Sequence, residues 1–206
     1  MLVDARTSLR RLMLDSLRAR GPAECAGECF TGEEACRDYL RARPDVVICH
    51  LDLPGISGAE TAHRLLQRHQ RAAIVMLGRE GEGVRRDRVL QSGVRGYLRE
   101  TRLRDELPVA ADAVATGGRY LDTETARELA LHGQHPATAR LEGLSMREFE
   151  IFWLSAAGHS LDVIAARLSL GYKTVAGYGT RIRAKLGVRT SAELSALANH
   201  WGLTRA

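Results

Sequence analysis

The chain has 206 residues, room for one large domain or two small ones at about 100–200 residues each. Thirty basic residues face 25 acidic ones for a net charge of +5, and the only lysines are Lys173 and Lys185. No run approaches the ~18 apolar residues of a membrane-spanning helix, and the opening MLVDARTSLRR lacks the apolar core of a signal peptide, so a cytoplasmic protein with no membrane partner is expected.

In chain order, short apolar runs at 1–4, 23–29, 46–50, 73–77 and 94–98 alternate with amphipathic stretches. The first stretch carries Leu9, Leu12, Met13 and Leu17; the others cover 33–42, 58–69, 82–91 and 103–117. Five strands alternating with five helices predict a doubly wound α/β domain, a parallel sheet covered on both faces. Such sheets place their site at the C-terminal strand ends. That singles out Asp4, Ala5, His50, Gly78 and the segment after Leu98. Only three residues precede Asp4, so strand one is short, which leaves open a start upstream of Met1. Cys25, Cys29 and Cys49 lie in apolar runs and, with Cys36, form no C-x-x-C pair. Small buried hydrophobes are expected there, not zinc or redox chemistry.

A further helix is predicted over 122–132, and GQHPATARL at 133–141 reads as a linker. From Leu144 onward the pattern is helical. Ser145 with Glu148 signals a capping box, and Phe149, Phe152 and Trp153 share one face. Gly158 ends that helix. Ser160 can cap a second, burying Ile164, Ala165 and Leu168. A turn at 170–171 leads to a third with Val175, Ile182 and Leu186, closed by Gly187. Thr190 and Glu193 make another box before a fourth with Leu194, Leu197 and Trp201. The predicted division is 1–121, a helix and linker at 122–142, and an all-α unit at 143–206. Residues 1–132 carry a net charge of +1, whereas 143–206 carry +4, so a polyanion partner is expected at the C-terminal unit.

Leu144-Ser145-x-Arg147-Glu148, Gly158-x-Ser160, Ile164-Ala165-x-Arg167-Leu168, Lys173-Thr174-Val175 and Ile182-x-x-Lys185-Leu186-Gly187-Val188 resemble the helix-turn-helix domain of LuxR/FixJ/NarL-type regulators. Pro44-Asp45-Val46-Val47-Ile48, Leu53-Pro54-Gly55-x-x-Gly58 and Gly93-x-x-Gly96-Tyr97-Leu98 resemble the receiver domain of two-component response regulators. The resemblance implies a flavodoxin-like, five-stranded receiver. In that family an acidic pair after strand one holds Mg²⁺. An Asp ending strand three takes the phosphoryl group. A Thr or Ser after strand four and a Lys after strand five stabilise the phosphate oxygens.

Registered on Pro54, the nucleophile position falls on His50, with Asp52 two residues too late. The acidic pair is reduced to Asp4 and Ala5, the Thr/Ser position is Gly78 and the Lys position is Glu100. Glu100 turns a phosphate-binding cation into an anion. These departures imply a degenerate, orphan receiver that is not phosphorylated on Asp and needs no cofactor. Three roles stay open to His50: accepting phosphate, binding a metal with Asp4, or pairing as an ordinary polar residue with Asp4 or Glu100. Tyr97 holds the family's switch-tyrosine position and is equally readable as a half-buried strand aromatic. The fold still offers a dimerisation surface and a strand-end pocket for a small-molecule ligand.

In the LuxR-type domain the third helix enters the major groove. By resemblance, Ala176, Gly177, Thr180 and Arg181 lie toward the groove. Lys173, Thr174 and Tyr178 are placed to meet phosphates, and Arg183, Lys185 and Arg189 add backbone contacts or a general field. Ala and Gly make no bidentate base contact, and Gly177 and Gly179 each cost ~1 kcal/mol relative to Ala inside a helix. Weak binding of double-stranded DNA by the chain alone is expected. Affinity would come from a dimer on an inverted-repeat site, with itself or with a paralogous regulator. The fourth helix, 191–201, is the family's dimer surface. The degraded pocket, the Arg-rich composition and the tail His200-Trp201-Gly202-Leu203 resemble sporulation-type regulators of actinobacteria, the WhiI and BldM kind.

Two functions stay open. Lys173-Thr174-Val175 and the charge excess favour a DNA-binding transcription regulator. Gly177 and Gly179 favour an interaction partner or antagonist of a related regulator with little DNA binding of its own. No nucleophile–base set, Gly-rich phosphate loop or metal-ligand spacing is present in the sequence, so an enzyme is not expected.

Overall fold

A computed structural model describes residues 1–201 and Leu203; Gly202 of the tail singled out above lies outside the described residues. The chain divides into two compact units, Met1–Gln134 and His135–Ala206. This boundary falls inside the stretch read as helix and linker.

The first unit is a parallel sheet in the order β2-β1-β3-β4-β5-β6. The strands are β1 (Leu2–Val3), β2 (Glu28–Cys29), β3 (Val47–His50), β4 (Ile74–Gly78), β5 (Gly96–Arg99) and β6 (Tyr120–Leu121). Every residue of β3 and β4 is buried. A sheet covered on both faces demands such continuous apolar runs in place of alternation. The crossovers are α1 (Thr7–Arg18), α2 (Gly32–Ala42), α3 (Gly58–Arg68), α4 (Gly83–Gln91) and α5 (Leu103–Ala115). On one face Met13 of α1 and Leu103, Leu107, Ala110 and Val114 of α5 pack against Leu2, Ile48, Val75, Leu77 and Leu98. All four cysteines are free, Cys29 and Cys49 are buried, and burial pushes the Cys29 thiol up to about 11.

The sheet has six strands, not the five predicted. After α5 the chain turns through Gly117 at φ +91°, a left-handed conformation that suits glycine. It then runs beside β5, where the Tyr120 N–H donates to Arg95 O (2.9 Å) and the Asp122 N–H to Tyr97 O (3.1 Å). Two residues are too few for a periodic pattern to register. The predicted strand at 23–29 narrows to its last two residues. The fourth and fifth strands each end one residue later than predicted, at Gly78 and Arg99. Helix α6 (Thr123–His132) follows β6 and belongs to this unit.

The second unit contains α7 (Ala137–Arg140), α8 (Met146–Ala156), α9 (Leu161–Arg167), α10 (Tyr172–Leu186) and α11 (Ser191–His200). Phe149, Ile151, Phe152, Ile164, Leu168, Val175, Ile182 and Leu194 form its buried interior. The 133–141 segment read as a linker holds α7 and buries Ala137, Thr138 and Leu141, a face too short to show a helical period. The Ser145–Glu148 capping box closes in both directions: Ser145 Oγ accepts from the Glu148 N–H (3.2 Å), and the Ser145 N–H donates to Glu148 Oε2 (2.8 Å). The second box is shifted by one residue. Thr190 caps α11, but the Glu193 carboxylate accepts from the Arg189 N–H.

Candidate regulatory pocket and nucleic-acid interface

Parallel register brings Asp4 after β1, His50 at the end of β3, Gly78 at the end of β4 and Glu100 after β5 to one edge of the sheet. His50 is fully buried. Its Nδ1 accepts from the Asp52 N–H at 2.9 Å. Its Nε2 lies 2.5 Å from Glu100 Oε1, a close contact outside hydrogen-bond alignment. Asp4 Oδ2 is 3.8 Å from Nδ1. Of the three roles open to His50, the geometry displays pairing with Glu100.

The sequence reading missed Arg6, whose guanidinium spans two carboxylates. Nε and Nη2 donate to Asp4 (3.1 and 3.0 Å), and Nη2 and Nη1 donate to Glu100 (2.8 and 3.3 Å). Arg85 was missed as well. Its Nη1 donates to Asp52 Oδ1 (2.8 Å) and Glu82 Oε1 (2.6 Å). Arg79 lies 3.5 Å from Asp52 and 3.7 Å from Glu100. Burial pushes the Glu100 carboxyl up, but the Arg6 hydrogen bonds and the His50 and Arg6 charges outweigh it and hold the group below its ordinary value. Burial likewise raises Asp52, and Arg85 together with His50 and Arg79 brings it below the usual range. Arg6 precedes a helix and Arg85 stands in a charge run, and neither carries a spacing signal that would pair it with a distant carboxylate.

These residues do not fit the divalent cation of a receiver. Ala5 and His50 supply no carboxylate, and Asp4, Asp52 and Glu100 each already face a guanidinium. Among the described residues no group of three or more His, Cys, Asp or Glu could hold a metal ion. Beside the ion pairs a cleft of about 70 Å³ touches Arg79, Glu82, Arg86, Tyr97, Arg99, Thr125 and Glu128. It is well below the ~300 Å³ typical of a small-molecule site.

Tyr97 is 2% exposed, and its ring fills the space above Gly78. A Cβ at position 78 would sit 2.0 Å from Tyr97 Oη and 2.8 Å from Cζ, so this ring position excludes any larger residue there. Next to it, α6 is fastened to the sheet by two acids that sequence reasoning also missed. Asp122 accepts from the Thr125 N–H (2.9 Å), the Thr125 hydroxyl (2.8 Å) and the Arg99 N–H (3.0 Å). Glu128 accepts from Arg86 Nη1 (2.7 Å) and from Arg99.

In the second unit, α8, α9 and α11 begin with capping side chains from Ser145, Ser160 and Thr190. Helix α10 follows Gly171 at its N-cap position, and no side chain among the described residues caps it. The Thr174 N–H donates to Gly171 O (3.0 Å), and the Tyr172 and Lys173 N–H groups meet no side-chain acceptor among the described residues. Lys173, Thr174, Gly177, Thr180, Arg181 and Lys185 are exposed, while Ala176, Tyr178 and Arg183 are half-buried. A Cβ at Gly177 would meet nothing within 4 Å. Lys185 is not loose: its Nζ donates to Glu148 Oε2 at 2.6 Å. Arg181 lies over the Tyr178 ring, 4.3 Å from its centroid, with Nε 3.9 Å from Glu148 Oε1. Burial raises the Glu148 carboxyl, but hydrogen bonds from Lys185 and Ser145 outweigh it and hold the group below its ordinary value. The capping box signalled in sequence thus also anchors the C-terminal half of α10.

Residues 1–111 match the family described as response regulator receiver domain, and residues 142–198 match the bacterial regulatory proteins of the luxR family. The chain is 36% identical over 181 residues to the transcriptional activator protein ExaE of Pseudomonas putida, covering 86% of this chain and 85% of that one. It is 31% identical over 205 residues to the response regulator GacA of Pseudomonas aeruginosa, covering 98% and 93%. The solved structure of the Salmonella typhimurium response regulator RcsB shares the fold at TM-score 0.59 and 20% identity, over 97% of this chain and 96% of that one. With a parallel sheet in the first unit and packed helices in the second, these matches show that the chain belongs to the LuxR-family response regulators, which join a receiver domain to a helix-turn-helix domain, and not to an enzyme family.

Proposed function

We propose that the protein is a DNA-binding transcription regulator whose receiver-like domain is not phosphorylated on aspartate. The observation that carries the first half is the exposed, uncapped start of α10, with Lys173 in its first turn. Free N–H groups, the positive end of the helix dipole and a lysine together favour a backbone phosphate. The likeness to ExaE, named a transcriptional activator, and to RcsB, known in complex with DNA, supports the same reading. The proposed layout is a receiver over 1–121, a helix and linker over 122–142 and a DNA-binding domain over 143–206. Lys173, Thr174 and Tyr178 would position phosphates, and Ala176, Gly177, Thr180 and Arg181 would face bases. Arg183 would add field, and Lys185 would act through its bond to Glu148. The site would be an inverted repeat read by a homodimer or by a heterodimer with a related regulator, as in the WhiI and BldM kind.

The second half rests on Arg6. A guanidinium already bridging Asp4 and Glu100 stands where cation and phosphoryl chemistry would need free carboxylates. Incubation with acetyl phosphate and Mg²⁺ should leave the intact mass unchanged; a gain of one phosphoryl group would sink this half. Anisotropy titration of a duplex pool at physiological salt tests the first half. Weak binding by the chain alone, strengthened by a co-purifying regulator, is expected.

A second reading, an interaction partner or antagonist with little DNA binding of its own, is favoured by one observation. The middle of α10 offers Ala176, Gly177 and Gly179, and Lys185 is spent on Glu148. A partner-bound form that still fails to retain any duplex would select it.

A further inference from the structure

We infer that Arg181 is the one side chain of α10 that reads a base, that it selects guanine, and that Tyr178 orients it; the inference rests on the duplex binding proposed above. Base reading needs polar atoms on the outward face of the helix. Gly177 and Ala184 lie there and carry none. The Thr180 hydroxyl is turned back on its own helix, donating to Ala176 O (3.3 Å) and accepting from Arg183 Nη2 (3.2 Å). Lys173 stands in the first turn beside the free N–H groups, a place that suits a phosphate.

Arg181 differs on each count. Its side chain is 59% exposed. Its Cζ lies over the Tyr178 ring, 4.3 Å from the centroid, which restrains the guanidinium by cation–π attraction, and Glu148 Oε1 at 3.9 Å from Nε steadies its stem. Neither contact engages the two outer nitrogens in a hydrogen bond, so the fork stays available. Helical side chains lean toward the preceding turn. There Gly177 leaves open space, with nothing within 4 Å of where a Cβ would stand, so a base edge can come close. A planar fork of donors matches the paired acceptors O6 and N7 of guanine, whereas adenine presents a donor at one of those places.

The test uses the full-length protein. Duplexes are selected from a randomised pool, and every base pair of the selected site is then varied singly, with binding read by anisotropy. One G·C pair per half-site is expected to matter through this residue. Its replacement by A·T, or its guanine by 7-deazaguanine, should cost roughly five- to 150-fold in affinity. Arg181→Ala should erase that preference while leaving the penalties at other positions in place. Tyr178→Phe keeps the ring and should keep the preference; Tyr178→Ala should weaken it, with helix content by circular dichroism serving as the folding control. Arg181→Ala lowering affinity equally for every duplex would overturn the inference and reduce the residue to a phosphate contact. Wild-type protein that enriches no sequence and binds no duplex would instead overturn the DNA-binding reading itself.

Discussion

At the strand ends of the first unit, Arg6, Arg79 and Arg85 are matched by Asp4, Glu100, Asp52 and Glu82 at 2.6–3.7 Å. On α10, Lys173 stands at an open helix start, and among the described residues Arg181 meets the Tyr178 ring and, at 3.9 Å, the Glu148 carboxylate. Both regions are rich in cations, but on α10 only Lys185 is held tightly by a carboxylate, while Lys173 has no ion pair among the described residues. Net charge cannot distinguish the two; the position of the nearest carboxylate does. Self-neutralised charges at a buried edge resist opening, because removing one partner strands the other in a poorly solvated place. Charges on an exposed helix cost little to keep and are worth little until a polyanion arrives.

The sharpest way to break this comparison is at Gly78. Gly78→Thr forces a side chain into space that Tyr97 holds at 2.0 Å, and overpacking of that severity costs about 3 kcal/mol or more. Tyr97→Leu should itself destabilise by leaving a cavity, but the two changes together should cost less than their sum, because they share one space. Urea unfolding of the four proteins reads the coupling. Simple additivity would mean that the ring is free to leave.

Arg6→Ala comes next. It leaves Asp4, 1% exposed, and Glu100 without their shared guanidinium. A loss of about 2 kcal/mol is expected, below the value for a fully buried pair because the Arg6 side chain is 39% exposed. If urea midpoints barely move, the network is a surface ornament and the contrast with α10 fails. Acid unfolding refines the same point. Glu100 and Asp52 are held below their ordinary values in the folded state, so their contribution is complete above the unfolded carboxyl pKa of about 4.3 and is lost as pH falls through the folded values. Stability should therefore decline on acidification below about pH 5. In Arg6→Ala that decline should be shallower, since Glu100 then titrates closer to its unfolded value.

Much of this was legible in sequence because it is local. Apolar runs named β3 and β4, Ser145 with Glu148 named a helix start, and Pro54 placed His50 at a strand end. What sequence missed is long-range or short. Arg6 meets Glu100 across 94 positions, and Arg85 meets Asp52 across 33; no spacing rule pairs them. Strand β6 has two residues and takes its identity from β5 beside it. Lys185 read as a backbone contact or a source of general field; its pairing with Glu148, already named as a cap, joins positions 37 residues apart that no local rule connects. The Gly78–Tyr97 pair was visible as two family positions, but the space they share exists only in three dimensions.

The helix itself allows two smaller tests, which separate stability from binding. Gly177→Ala fills open space at an ordinary helical backbone and should stabilise the second unit by about 1 kcal/mol, read as a higher urea midpoint. Gly171→Asp acts at the cap of the same helix. Gly171 has φ −73° and ψ 145°, an extended geometry that aspartate accepts, and an added Cβ comes no nearer than 3.7 Å to Thr174 Oγ1. The new carboxylate would accept from the free N–H groups and should stabilise the helix by about a few tenths of a kcal/mol, the difference between aspartate and glycine at a cap. It would also occupy the place proposed for a phosphate with a charge of the same sign. Duplex affinity should then fall by about five- to tenfold while stability rises. A variant that gains stability and keeps its affinity would show that the open start of α10 is only an uncapped helix, and that the difference between the two regions lies in Lys173 and Arg181 alone.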